Sequence, residues 1–207
     1  SFSQDNLQGF DLKSKTLGVV GTGRIGKHII KMAKGFDMNV VAYDPFPDLE
    51  FQKLNEYKYL SLEDLLKTSD IVSIHVPYMK ETHHLINDDR IKLMKKGAIL
   101  INTARGAIVE TESLVKALQD GQLGGAGLDV LEEENLTSDK IEFILGGHPE
   151  EHDLKTVLAN HVLIDMPNVV VTPHNAFNTK EALQRILDTT LESIQSFIAG
   201  TPKNLVK

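Results

Sequence analysis

The sequence predicts an α/β fold built on a doubly wound parallel sheet. Short Val- and Ile-rich runs alternate with amphipathic segments, and the links between them are brief. Most of the runs are apolar on consecutive positions, as parallel strands buried on both faces are.

The strand-like runs are Thr16–Val20, Asn39–Tyr43, 70–76, 97–102, 125–130 and 168–172, each bounded by Gly, Pro, Asn or Asp. Helical patterns fill the gaps. Ile25, Ile29, Met32, Ala33 and Phe36 recur at spacings of three and four with lysines opposite, which predicts an amphipathic helix. Ser61 and Asp64 stand at the spacing of a capping box, with Asp in the usual Glu position. Asn87 caps a helix running to about Lys95 that Gly97 closes. Thr111 opens the next and Gly121 closes it. The last helix lines up Leu183, Ile186, Leu187, Thr190, Leu191, Ile194 and Phe197, then stops at Gly200 and Pro202. Residues 132–167 break the rhythm with three acids, Gly146-Gly147 and no clear strand, an insertion more often functional than idle.

Composition bounds the function. The chain has 207 residues, 41% hydrophobic and 25% charged, with no repeat or low-complexity tract, and reads as one continuous domain. A net charge of −7 argues against nucleic acid as a partner, which demands a basic face. No apolar run approaches the roughly 18 residues of a membrane span. The absence of cysteine removes disulfides, thiolate metal sites and a cysteine nucleophile, and fits a reducing cytoplasm. The chain opens on Ser1 with no signal-peptide pattern and reads as a fragment.

Gly21-Thr22-Gly23-Arg24-Ile25-Gly26 stands between the first strand and the first helix. Gly21 permits the tight turn, Gly23 lets a pyrophosphate approach the backbone, and Gly26 lets helix and strand pack closely. The helix N-terminus adds N–H donors and the positive end of its dipole. Arg24 either pairs with the phosphates or is solvated. Asp44 ends the second strand eighteen residues past Gly26, where an acid accepts the adenosine ribose hydroxyls and repels a 2′-phosphate. No Arg or Lys adjoins it, since Pro45, Phe46 and Pro47 follow, so NAD is favoured over NADP. The bland alternative is that Asp44 only ends a strand before a proline turn.

From Leu12 onward, ordered blocks of motif resemble the D-isomer-specific 2-hydroxyacid dehydrogenase family. They are the glycine turn, Asp44-Pro45, His75-Val76-Pro77 with Thr82, Ile101-Asn-Thr-Ala-Arg105-Gly106, Gly127-Leu-Asp129-Val130 running to Glu134, and Thr172-Pro-His174-Asn-Ala-Phe177. The stretch Pro173 to Thr179 resembles the D-lactate dehydrogenase branch in particular. The resemblance implies a Rossmann NAD-binding domain over residues 12–180, with 1–11 a linker from an absent N-terminal substrate domain. Residues 181–207 would be a C-terminal helix and tail returning toward that domain.

It also implies an oxidoreductase that interconverts a small 2-oxo acid and a D-2-hydroxy acid with NAD, as a cytoplasmic homodimer. His174 is the expected proton donor and acceptor, since an unperturbed imidazole titrates at about pH 6.5 and passes a proton either way. Glu134 matches the family's glutamate, and a carboxylate beside the ring would hold it and favour the protonated donor. Its neighbours Glu132 and Glu133 read as a solvated acidic loop. Asn135 stands where many members have proline. Arg105 offers a guanidinium fork for the substrate carboxylate. His75, Val76, Pro77 and Thr82 would line the cofactor through backbone and hydroxyl groups, with Thr103 and Ala104 flanking the nicotinamide. Asp129 resembles the residue at the nicotinamide end, with a structural cap as the alternative. Phe177 either walls the substrate pocket or packs in the core.

No metal site is expected, because Pro149 interrupts the His148–His152 spacing and the His83-His84 pair lacks a third ligand. Two other functions stay open: a glyoxylate or hydroxypyruvate reductase, and a non-enzymatic NAD-responsive corepressor. A formate dehydrogenase is disfavoured, since that branch carries an amide where Glu134 stands.

Overall fold

A computed structural model describes residues 9–134 and 154–205. Seven strands form a single parallel sheet: β1 (Thr16–Val20), β2 (Asn39–Tyr43), β3 (Lys58–Tyr59), β4 (Ile71–Ile74), β5 (Ala98–Asn102), β6 (Leu123–Leu128) and β7 (Val169–Val171). Their order across the sheet is β3-β2-β1-β4-β5-β6-β7. β1 pairs with β2 through Thr16↔Asn39 and with β4 through Leu17↔Ile71, so the chain runs outward in both directions from the β1–β4 seam. That reversal makes a topological switch point, and the crevice at the carboxyl ends of such strands is where open α/β sheets bind ligands.

The helices are α1 (Arg24–Gly35), α2 (Leu49–Asn55), α3 (Leu62–Thr68), α4 (Asp88–Leu93), α5 (Thr111–Gln119), α6 (Leu154–Asp165) and α7 (Lys180–Ile198). Two apolar clusters bury the sheet. One joins Leu17, Val19, Val40 and Ala42 to Ile30 and Ala33 of α1; the other joins Val72, Ile74, Leu100 and Leu128 to Leu65, Ile91, Leu114 and Leu163. The chain divides into two compact units, Ser1–Pro173 and His174–Lys207.

Several local expectations are corrected. The face of α1 that packs on the sheet is Gly26, Ile30 and Ala33, while Ile25 is 65% exposed and Met32 and Phe36 are also exposed. The spacing located the helix but not which of its apolar rows meets the sheet. The capping box of α3 is half formed: Ser61 Oγ accepts from the Asp64 amide at 3.1 Å, but the Asp64 carboxylate accepts from Ser61 Oγ at 2.8 Å. Aspartate is one methylene shorter than glutamate, and here its bond goes to the hydroxyl. Within 132–167, the described part of the supposed insertion contains α6, which packs Val157 and Leu163 inward.

α7 is capped by Thr179, whose hydroxyl accepts from the Ala182 amide at 3.1 Å, and ends where Gly200 takes φ +71°. No helix among the described residues is long and apolar enough to cross a membrane.

Candidate cofactor and catalytic site

Because the strands run parallel, the segments leaving β1, β2, β4, β5 and β6 emerge at one edge of the sheet. The glycine turn leaves β1. Gly21 takes φ +98°, and a Cβ there would stand 2.8 Å from the carbonyl carbon of His75 and the amide of Val76. Gly26 faces the turn's own backbone, where a Cβ would come within 2.0 Å of the Gly21 carbonyl oxygen. Gly23 differs, because a Cβ there would meet nothing within 4 Å. Internal packing therefore gives no reason for glycine at that position, whereas a ligand laid on the backbone does. Gly23, Arg24 and Ile25 are exposed, and no acid sits in the first turn of α1 to neutralise the dipole's positive end. The combination is a seat for an anion.

Asp44 follows β2 beside that seat. Its Oδ2 accepts the Thr22 amide at 2.6 Å and the Thr22 hydroxyl at 2.9 Å, and its Oδ1 accepts the Phe46 amide at 2.9 Å. Pro45 beside it is exposed. Across the seam, the His75 amide donates to the Val20 carbonyl at 2.7 Å, which sets His75 and Val76 against Gly21. The His75 ring meets Ser73 Oγ at 2.8 Å, and burial pushes its pKa down to about 4. It is a neutral imidazole under ordinary conditions. Val76 is buried and Pro77 exposed. Thr82 is buried, its hydroxyl donating to the Pro77 carbonyl at 2.8 Å and accepting the Met79 amide at 2.7 Å. That hydroxyl is committed to holding its own loop.

At the end of β5, Asn102 is 1% exposed and organises the turn that leaves the strand. Its Nδ2 donates to the Arg105 carbonyl at 2.8 Å and its Oδ1 accepts the Ala104 amide at 3.0 Å. Thr103 and Arg105 are thereby presented to solvent, with Ala104 half-buried. One guanidinium nitrogen of Arg105 donates to the Ala104 carbonyl at 2.6 Å, and the rest of the fork bonds to none of the described residues. Gly106 then packs directly on the segment after β6: a Cβ would lie 2.0 Å from the Leu131 carbonyl carbon and 2.3 Å from the Glu132 amide. The structure thus brings the Arg105 loop against the loop that carries Glu134.

The three acids of that loop separate. Glu132 is not solvated: its side chain is 11% exposed, and its carboxylate accepts His84 Nε2 at 2.7 Å, the Thr111 amide at 3.0 Å and the Thr111 hydroxyl at 2.5 Å. Its carbonyl accepts Asn160 Nδ2 of α6 at 2.6 Å. Glu133 is exposed with φ +51°. Glu134 is half-buried, and its carboxylate lies 3.4 Å from the Leu131 amide that donates to it. Asp129 is buried, accepts the Thr172 hydroxyl at 2.5 Å, and donates its amide to the Asn102 carbonyl at 2.9 Å.

His174 follows β7 by three residues and opens the second unit, with φ +50°. Within that unit its ring stands edge-on to Phe177 at 6.4 Å, and Phe177 is half exposed. His83 and His84 stack at 3.9 Å. Among the described residues no three side chains gather as a metal site requires. Asn135, His148 and His152 lie outside the described residues.

Sequence reasoning missed Asn102, Glu132 and Asn160 as supports of the site. Asn102 sits inside the block that contains Arg105, so its place was visible and its role was not. Glu132 was hidden among three adjacent acids, and nothing in the sequence signalled Asn160.

The turn fits a dinucleotide on its own geometry: a backbone that admits no side chain at Gly21, open space over Gly23, an unneutralised helix start and a carboxylate beside it. The family model for the D-isomer specific 2-hydroxyacid dehydrogenase NAD binding domain matches residues 1–176. Curated relatives include a 2-hydroxyacid dehydrogenase A of Aspergillus oryzae, 45% identical over 93% of this chain and 54% of that protein. A glyoxylate reductase of Aeropyrum pernix is 42% identical over 97% of this chain and 54% of its own. Among solved structures, D-lactate dehydrogenase from Aquifex aeolicus, complexed with NAD and lactic acid, is 42% identical with a TM-score of 0.84, covering 97% of this chain and 58% of that one. The chain spans little more than half the length of the relatives it matches. It belongs to the D-isomer specific 2-hydroxyacid dehydrogenases, of which it contains the Rossmann-type NAD-binding domain.

Proposed function

We propose that the protein carrying this chain is an NAD-dependent dehydrogenase that interconverts a small 2-oxo acid, pyruvate-like, and its D-2-hydroxy acid. The observation that carries this reading is the contact of Gly106 with the Leu131–Glu132 peptide. It joins the Arg105 and Glu134 loops at the sheet edge that also holds the glycine turn.

Bound nicotinamide supplies the hydride to C2 of the 2-oxo acid. The chain's own groups do the rest. The unengaged part of the Arg105 fork takes the substrate carboxylate by two parallel N–H···O bonds, which fixes the carbonyl's orientation. His174 gives its ring proton to the carbonyl oxygen as it becomes a hydroxyl, and takes it back in the reverse direction. Glu134 holds the imidazolium form of His174. Glycine-turn amides hold the pyrophosphate and Asp44 a ribose hydroxyl, while Val76, Pro77, Thr103, Ala104 and Asp129 border the cofactor. We take the protein to act in the cytoplasm as a homodimer. We expect the 207-residue chain by itself to bind NADH and to turn over weakly or not at all.

A glyoxylate reductase is the second reading. The A. pernix enzyme and the Aquifex D-lactate dehydrogenase are equally similar to this chain, at 42% identity each. The test is a panel of 2-oxo acids, from glyoxylate and pyruvate to hydroxypyruvate and branched-chain analogues, given with NADH to the full-length protein. Oxidation of NADH should depend on Arg105 and His174, with Arg105→Ala and His174→Ala each losing at least about 100-fold in kcat/KM, the scale of a positioned acid–base group. A protein that binds NADH yet reduces none of the panel would favour the corepressor instead.

A further inference from the structure

A line of hydroxyls runs from the edge of the sheet to the cofactor turn. Tyr57 is buried, and its O–H donates to the Tyr59 oxygen at 2.9 Å. The Tyr59 oxygen lies 2.9 Å from Thr22 Oγ1, and Thr22 Oγ1 lies 2.9 Å from Asp44 Oδ2. Tyr59 also accepts the Asp48 amide at 3.1 Å, at the cap of α2.

Counting protons fixes the direction of the line. A phenol has one proton and two acceptor positions, and an ionised carboxylate can only accept. Tyr59 accepts from both Tyr57 and Asp48, so its single proton goes to Thr22. Thr22 in turn has one proton, and it goes to Asp44. The chain reads Tyr57 → Tyr59 → Thr22 → Asp44, with the anion at its end aligning every hydroxyl before it. Such aligned chains polarise one another and strengthen cooperatively. Burial, and after it the bond to Tyr59, push the Tyr57 phenol above its usual range, so it stays a neutral donor.

The consequence falls on Asp44. Oδ2 is filled by the amide and hydroxyl of Thr22, and Oδ1 holds the Phe46 amide with one acceptor direction remaining. The carboxylate cannot turn without breaking these bonds. We propose that Tyr59, acting through Thr22, is a positioning residue for cofactor choice: it locks Asp44 with one oxygen open to a ribose hydroxyl donor and its charge against a 2′-phosphate. This rests on the reading of Asp44 as the ribose acceptor.

The test is calorimetric titration of this chain with NADH and with NADPH, for wild type, Asp44→Asn, Thr22→Val, Tyr59→Phe and Tyr57→Phe. A melting curve on each variant confirms folding. Asp44→Asn should cut the NADH-over-NADPH preference by about tenfold or more, the scale of one charge-assisted bond. Tyr59→Phe and Thr22→Val should cut it by about three- to tenfold, and Tyr57→Phe by less, the scale of a neutral bond. In Tyr59→Phe and Thr22→Val the effect should fall on NADH, with NADPH affinity little changed, whereas Asp44→Asn should also raise NADPH affinity because the repelling charge is gone. If Asp44→Asn lowers the preference while Tyr59→Phe and Thr22→Val weaken both cofactors equally or neither, the relay is overturned and the Asp44 reading stands. An unchanged preference in Asp44→Asn overturns both.

Discussion

Glu132 and His84, forty-eight residues apart, are joined by a 2.7 Å hydrogen bond from the ring Nε2 to the carboxylate. The same carboxylate caps the start of α5 at Thr111, and the Glu132 carbonyl is held by Asn160. One residue thus ties the loop after β6 to α5, to α6 and to the segment before α4. Glu134 stands two positions further along that loop, so its place depends on an anchor that takes no part in the chemistry.

Removing the anchor should therefore cost stability before it costs cofactor affinity. Glu132→Ala strands the His84 ring and the Thr111 amide, and a buried polar group left unmade costs about 1–3 kcal/mol. We expect the melting temperature to fall by several degrees while the NADH dissociation constant stays within about twofold, since the glycine turn is not attached to this anchor. Parallel melts and titrations of the variant check this, and a large loss of NADH affinity with an unchanged melt would contradict it.

The glycines of the turn should separate the same two properties in the opposite sense. Gly23→Ala adds a methyl into open space, so stability should change by less than about 1 kcal/mol while NADH affinity drops about tenfold or more. Gly21→Ala forces a Cβ to 2.8 Å from the His75–Val76 backbone at φ +98°, and should lower both. Equal NADH affinity in wild type and Gly23→Ala would mean that the open space over Gly23 is not where the cofactor lies.

These positions also show how much was legible beforehand. Glycine spacing and the strand before it located the turn, and two strands, Thr16–Val20 and Asn39–Tyr43, match the sequence reading end to end. Legibility failed where packing, not local pattern, decides. α6 carries exposed Leu158, Val162 and Ile164 beside buried Val157 and Leu163, so no apolar stripe stands out against a polar face. β3 has two residues and α2 buries none, so neither leaves a periodic signature. Glu132 and Glu133 are indistinguishable in sequence, yet one is tied to α5, α6 and the segment before α4, while the other is exposed. Only the fold brings His84, Thr111 and Asn160 around the first.

His75 should leave a mark on the pH dependence of stability. Its folded pKa of about 4 lies below the roughly 6.5 of an unfolded histidine, so between those values the unfolded chain binds a proton that the folded chain does not. Stability from the neutral ring is whole above about pH 6.5 and is lost as pH falls toward 4, at about 1.4 kcal/mol per unit and up to about 3 kcal/mol in all. His75→Gln keeps a polar group for Ser73 without the titration. The stability difference between wild type and variant should shift against wild type on going from pH 7 to pH 4. A difference that stays constant over that range would show that His75 titrates normally in the folded protein.

The cofactor seat is the feature on which the roles proposed for Arg105, Glu134 and His174 depend. Titrating the 207-residue chain with NADH, then with NADPH in the same buffer, tests it most directly. We predict one NADH site per chain, with NADPH weaker by about tenfold or more, as the loss of a ribose hydrogen bond and the repulsion of a phosphate by Asp44 require. A chain that melts cooperatively and binds neither dinucleotide would contradict the assignment at its root.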